Sequence, residues 1–335
     1  MGERSYAYTK ACGIIGKSFI GKRIRKLEQL SRLSELDRMV FPGSSRDLPE
    51  KELLIDLEER IISRAVNSII SIVNCFSSPP EFISLLIRSY EYEDLKSAIF
   101  SSLEKEKTKP AYTDLGRFQT VRFDAWPDIQ GMIKGTEFAF LLERKDILEQ
   151  GDIAFQTLLD RHYYNALWKS LLALPQNDRR ITERILSDEI SLKNSCWALR
   201  LRTYYRMSPE ETKSQLINIT LKATKHRSLA DEAIRCLDFP LDDFSAWASW
   251  RWKDFLNPDS ERHWQANPRY FQNAASRYLY RLAKRNFHLN PFSLDSIFCF
   301  IKLKQFEEDI LTSSIEGLNM GMSSKDIFSM LGVES

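Results

Sequence analysis

The stretch Leu57-Glu-Glu-Arg60-Ile-Ile-Ser-Arg64-Ala-Val-Asn-Ser68-Ile-Ile-Ser-Ile-Val73 decides the fold class. Its apolar residues Leu57, Ile61, Ile62, Ala65, Val66, Ile69, Ile70 and Val73 recur at i, i+4, i+5 and i+8, one wide stripe at the helical period. Downstream, Ser77-Ser78-Pro79-Pro80-Glu81 reads as a stop followed by a new start. Ser78 is the expected N-cap, Pro79 fits the first turn and Glu81 completes a capping box. The helix it opens carries Phe82, Leu85, Leu86, Tyr90, Leu95, Ala98 and Ile99. Further on, Glu104-Lys-Glu-Lys-Thr-Lys109-Pro110 reads as an exposed helix end or linker. A second boundary falls near Lys222 to Ser228, and a looser region runs from Leu256 to Pro268.

The rest of the chain agrees with a helical protein. Gly 12 and Pro 12 in 335 residues is about 3.6% each, below the usual ~7% and ~5%. Sandwiches, barrels and propellers need more turn residues than that. With 43% hydrophobic residues the chain can build a core, so wholesale disorder is excluded. Lys+Arg 48 against Asp+Glu 46 leaves +2, which argues against a strongly basic nucleic-acid binder. No run reaches the roughly 18 apolar residues of a membrane span. The N-terminal Met1-Gly-Glu-Arg4 does not lead into a signal segment, so the cytoplasm is expected. Cys12, Cys75, Cys196, Cys236 and Cys299 are scattered, without metal-ligand spacing, and read as small core residues.

Motifs of chemistry are weak. Ala11-Cys-Gly-Ile-Ile-Gly16-Lys17-Ser18 fits a permissive phosphate-loop pattern, but ten residues leave no room for the parallel strand that such a loop needs. A plain N-terminal helix without nucleotide binding is expected there. Asp242-Asp243 lacks the third acid of a metal–diphosphate site and reads as an exposed helix start. Trp247, Trp250, Trp252 and Trp264 interleave with Arg251, Lys253, Arg262 and Arg269, a composition that could stack single-stranded nucleic acid. Asp242, Asp243, Asp254, Asp259 and Glu261 cancel that field, so packing is the preferred reading. His162, His226, His263 and His288 stand alone. The segment through Arg38 is mildly cationic, and its Lys22-Arg23-Ile-Arg25-Lys26 cluster is either a solvated face or a contact for an acidic partner or lipid headgroups.

A weak internal repeat appears at an offset of about 115 residues. Tyr163 meets Tyr278, Leu167 meets Leu282, Lys169 meets Lys284, Asn194 meets Asp309, Met207-Ser208 meets Met322-Ser323 and Leu216 meets Leu331. The capping boxes Ser208-Pro-Glu-Glu211 and Ser323-Ser-Lys-Asp326 fall in register. An earlier relative is Tyr90-Glu-Tyr-Glu-Asp94-Leu-Lys96. Three units are expected, near residues 1–116, 117–228 and 229–335.

The C-terminal run Pro291-Phe-Ser293, Phe300-Ile-Lys302, Lys304-Gln-Phe-Glu307-Glu308-Asp309-Ile310, Ile315-Glu-Gly317 and Gly321-Met-Ser323, through Ile327 and Leu331, resembles the central-stalk subunit of rotary V/A-type ATPases, called C in prokaryotic complexes and d in eukaryotic ones. Tyr6-Ala-Tyr8, Tyr90 to Lys96, and Ile190 to Arg200 add to the resemblance. Asp94 and Asp309 stand where the family usually has Asn, Ser191 where it has Asp, and Thr312-Ser313 where it has Ile-Arg. The resemblance implies an all-α funnel of three similar helical domains with pseudo-threefold symmetry. It implies a non-catalytic socket between axle subunits of the D and F type and the membrane proteolipid ring. One copy per complex would sit at the cytoplasmic face, coupling ATP hydrolysis or synthesis to proton or sodium transport, with no cofactor, metal, small-molecule substrate or nucleic acid. A free-standing helical scaffold or nucleic-acid-binding repeat protein, and an all-α enzyme, are the rival readings.

Asp94, Asn194, Arg202, Glu307 and Glu308 are the candidates to line the axle cavity. Asn194 and Arg202 lie eight residues apart, about two turns and hence one face. Capping or bridging helices inside each unit is the competing role for all five.

Overall fold

Prolines set where four of the long helices begin. The computed structural model describes residues 2–144, 152–221, 227–259, 263–323 and 327–328. Helix α1 is Gly2–Ile15, and α2 is Leu33–Val40. Pro49 opens α3, Glu50–Val73, and Pro80 opens α4, Glu81–Leu103. The short α5, Ile129–Ile133, precedes α6, Asp152–Leu172. Pro175 opens α7, Gln176–Tyr204, followed by the short α8, Pro209–Ser214, and α9, Asp231–Arg235. Pro268 takes the first turn of α10, Pro268–Asn286, which pairs with α11, Leu294–Asn319. The long elements are thus three helix pairs, α3–α4, α6–α7 and α10–α11. Among the described residues there is no strand, only an isolated bridge between Thr220 and Ser228, and the fold is all-α.

The expected cap at Ser78 is corrected. Pro80 is the N-cap of α4, and no side chain caps this helix. A residue before proline is pushed out of the helical region. Pro79 therefore cannot serve as a first helical residue while Pro80 follows it. The Ser208–Glu211 capping box forms as expected, with both reciprocal bonds present. The charged run after α4 is a helix end: Lys105 takes φ 56° and Glu106 N–H reaches Ser101 O at 3.0 Å. The Ser323–Asp326 cap, Leu331, Glu261, Arg262, His226 and most of the Lys222–Ser228 boundary lie outside the described residues.

Helix α11 is the hub, packing on α1, α2, α3, α7 and α10. Ser293 through Ile301 are buried on every side, and the polar groups among them are hydrogen-bonded, as burial requires: Asp295 accepts from the Thr182 N–H at 2.9 Å and hydroxyl at 2.7 Å, and the Ser296 hydroxyl donates to Ser293 O at 2.8 Å. The largest apolar cluster runs from α1, α3 and α4 through α6 and α7 to α11. A second joins α2 and the first half of α3 to the last half of α11. The third is the tryptophan cluster: Trp247, Trp250, Trp252 and Trp264 are all buried against α7, α9 and α10. Trp247 and Trp250 meet edge to face at 5.0 Å, and the indole N–H groups of Trp247, Trp250 and Trp264 donate to the carbonyls of Pro240, Glu232 and Asn257. Packing is their role. Asp243 starts a 3-10 turn, its carboxylate accepting from Ser245 N–H. The residues of the phosphate-loop pattern close α1, and the Ser18 hydroxyl donates to Ile14 O while accepting from Lys304. No helix among the described residues is long and apolar enough to cross a membrane.

Candidate functional site

All three helix pairs contribute side chains to one concavity. Three adjoining recesses of about 520, 490 and 320 Å³ meet at Asp309, which borders each. The largest is walled by α4, α6, α7 and α11 and presents Glu93, Asp94, Asp160, Glu189, Glu308 and Asp309 against Lys193 and Lys302. Tyr90, Tyr92, Tyr163 and Tyr164 fill the spaces between these charges. Among the described residues no group of acids, histidines and cysteines is arranged to hold a metal ion.

A polar contact crosses each junction between pairs. Lys96 of α4 donates to Asp160 of α6 at 2.8 Å. Lys302 of α11 donates to Glu189 of α7 at 2.7 Å. The Tyr90 hydroxyl of α4 donates to Glu308 of α11 at 2.5 Å. The first pair joins the second, the second the third, and the third the first.

The electrostatics of the wall divide by partner. Burial alone would raise the Asp160 carboxyl, but Lys193 at 3.2 Å and Lys96 hold it below the usual carboxylate range. No cation offsets burial at Asp94, and at Asp309 burial outweighs the opposing Lys302; each carboxyl is pushed up to about 6. Glu308 is pushed up to about 8, first by burial, with neighbouring Asp309 adding to it against the Tyr90 hydrogen bond. The concavity is rich in carboxyls yet keeps part of its protons near neutrality.

The five sequence candidates separate into two groups. Asp94 and Glu308 face the largest recess. Asn194 borders the second, but its amide is engaged. It accepts from Ile217 N–H at 2.8 Å and donates to Ile217 O at 2.9 Å and Leu229 O at 3.3 Å. Asp94 does the same job in the first pair, accepting from Thr113 N–H at 2.8 Å. Each residue pins the segment that returns after its own helix. Arg202 does not share a wall with the others. Its guanidinium fork reaches the carbonyls of Cys236 at 2.6 Å and Phe239 at 2.8 Å, closing the segment after α9. Glu307 points away from the recess. It is buried, accepts from Phe19 N–H at 2.7 Å, and pairs with Lys304 and Arg64. Those two cations outweigh burial and hold its carboxyl below the usual range.

Sequence reasoning passed over Asp160, Glu189, Lys193, Lys302 and Asp309 as wall residues. For two of them the sequence carries a signal: Asp309 is the residue that meets Asn194 in the repeat, and Lys193 directly precedes Asn194. It also passed over Glu91, a fully buried carboxylate on α4 that accepts from Thr120 N–H at 2.5 Å and Val121 N–H at 2.6 Å.

Residues 46–330 match a family model described as ATP synthase (C/AC39) subunit. A protein of Treponema pallidum (strain Nichols), described as an uncharacterized protein, is 27% identical over 323 residues, covering 94% of this chain and 92% of that one.

Proposed function

The chain belongs to the ATP synthase (C/AC39) subunit family, and from that premise we propose that it is the non-catalytic central-stalk socket of a rotary V/A-type ATPase. In this reading the concavity receives the end of the axle subunits, of the D and F type, and the opposite end rests on the proteolipid ring at the cytoplasmic face of the membrane. One copy per complex couples ATP hydrolysis or synthesis in the head to proton or sodium movement at the ring. The three helix pairs are three similar units around a pseudo-threefold axis, together forming a funnel.

The observation that carries the proposal is the cyclic set of contacts, Lys96–Asp160, Glu189–Lys302 and Glu308–Tyr90. A socket needs stiff helical walls closed round a cavity and a charged lining that orients its guest. Charged linings of this kind govern orientation and association rate more than affinity. The shared job of Asp94 and Asn194 supports the repeat. Asp94 and Glu308, with Asp309 and Glu93, are the residues we assign to the axle wall, and a guest with a cationic tip suits them. Arg202 and Glu307 support the wall from behind.

The test is capture of the tagged chain from detergent-solubilised membranes, followed by identification of the co-purifying proteins. Recovery of rotary ATPase subunits, including axle and ring components, is expected. Recovery of the chain alone, or only with proteins outside such a complex, would refute the assignment. Glu93→Lys with Asp309→Lys should reduce axle recovery while ring recovery persists.

A further inference from the structure

The basic cluster read from the sequence lies on a 3-10 helix, Gly21–Leu27. Three residues per turn place Ile24 and Leu27 one above the other, and both are buried. Lys22, Arg23, Arg25 and Lys26 are consequently all exposed, and among the described residues none of the four is ion-paired. The nearest carboxylate in sequence, Glu28, is half-buried, and Glu3 of α1 is turned to Ser77 N–H at 3.0 Å.

The cationic surface continues onto the end of α10. Gly21, at φ 57°, sits so close to this helix that a Cβ there would lie 3.3 Å from Lys284 Nζ. Gly21 N–H donates to the Tyr280 hydroxyl at 2.9 Å. Arg281, Lys284 and Arg285 are exposed. One turn further, Leu289 and Phe292 stand 64% and 57% exposed on the turn between α10 and α11. That turn is held firmly: Tyr8 bonds His288 Nδ1 at 2.7 Å, and its ring meets those of Phe287 and Phe292.

Seven cations beside two protruding apolar side chains form an amphipathic face. We propose that this face binds an anionic lipid surface, the cations among the headgroups and Leu289 and Phe292 at the headgroup–acyl boundary. The inference goes beyond the socket reading and needs no axle. Long lysine and arginine side chains follow a diffuse layer of phosphate charge, and each adds to the attraction. One weak anchor gives only marginal binding, so a polybasic patch joined to apolar contacts is the arrangement that holds.

The full chain is sedimented with vesicles of phosphatidylcholine alone and with about 30% phosphatidylglycerol, at about 0.05 and 0.5 M salt. Binding to the anionic vesicles about tenfold above the neutral ones, lost at the higher salt, is expected. The combined variant K22E/R23E/R25E/K26E should lose it, and so should R281Q/K284Q/R285Q on the separate helix by at least about threefold. L289S/F292S should weaken binding and keep its salt dependence. All these positions are exposed, and unchanged circular dichroism and melting check that the variants fold. Equal binding to the two vesicle types, or full binding by the K22E set, overturns the proposal. So does a wild-type chain that ignores vesicles while the K22E set loses protein subunits in membrane capture, since that outcome assigns the face to an acidic protein.

Discussion

Glu307 and Lys304 form a buried pair inside one helix, yet they fasten two distant parts of the chain. Lys304 also reaches Ser18, and Glu307 holds the Phe19 amide. Removing one partner leaves the other charge buried and alone, which costs about 3–5 kcal/mol, whereas replacing both with apolar residues is often close to neutral. Glu307→Ala should therefore destabilise by about that amount, and Lys304→Met with Glu307→Leu by less, mainly the about 1–3 kcal/mol of the stranded Phe19 amide, read from urea unfolding midpoints. Asn194 and Asp94 differ for a reason of the same kind. The segment after α7 offers Asn194 one N–H and two carbonyls, so an amide is needed. The segment after α4 offers Asp94 an N–H, which a carboxylate accepts. Asn194→Ala strands three buried backbone groups and should cost about 2–4 kcal/mol, while Asn194→Asp keeps the acceptor and loses the donor. The sequence marked these polar positions on repeated helices. It could not say whether each points into the concavity or at a returning segment, because that is decided by residues about 20 positions further on.

The long helices are legible because they obey one period. Leu57 to Val73 shows it, and α3 extends it upstream to Glu50. Starts were less legible where two prolines compete, as at Pro79 and Pro80. The 3-10 turns between Phe244 and Phe255 were not legible at all. They exist because the buried tryptophans around them impose it, a tertiary effect without a local pattern. Gly317 shows the same dependence in the reverse sense. A glycine inside a helix normally costs about 1 kcal/mol relative to alanine. Here a Cβ would lie 2.4 Å from Ile327 Cδ1. Gly317→Ala should therefore lower stability by about 1–3 kcal/mol through overpacking, instead of raising it. Ile327→Ala in the same chain should recover part of the loss in a thermal melt.

The whole molecule carries its most unusual titration in the wall of the concavity. Asp94, Asp309 and Glu308 have carboxyls pushed up to about 6, 6 and 8, against about 4 when unfolded. Across that window the folded chain holds protons that the unfolded chain has released. Stability then falls as the pH rises above about 4, and the loss is complete above about 8. Glu308→Gln should flatten the upper part of that slope, between about pH 6 and 8, in urea unfolding followed against pH. The three contacts that ring the concavity have a mechanical consequence as well. A pipe resists twisting far better than the same pipe slit along its length, because in the slit one the two lips slide past each other. Lys96–Asp160 and Lys302–Glu189 are charged seams, whereas Tyr90–Glu308 is a hydrogen bond whose acceptor gains and loses its proton near physiological pH. The lips of this pipe meet at Tyr90, and slip under load would begin there.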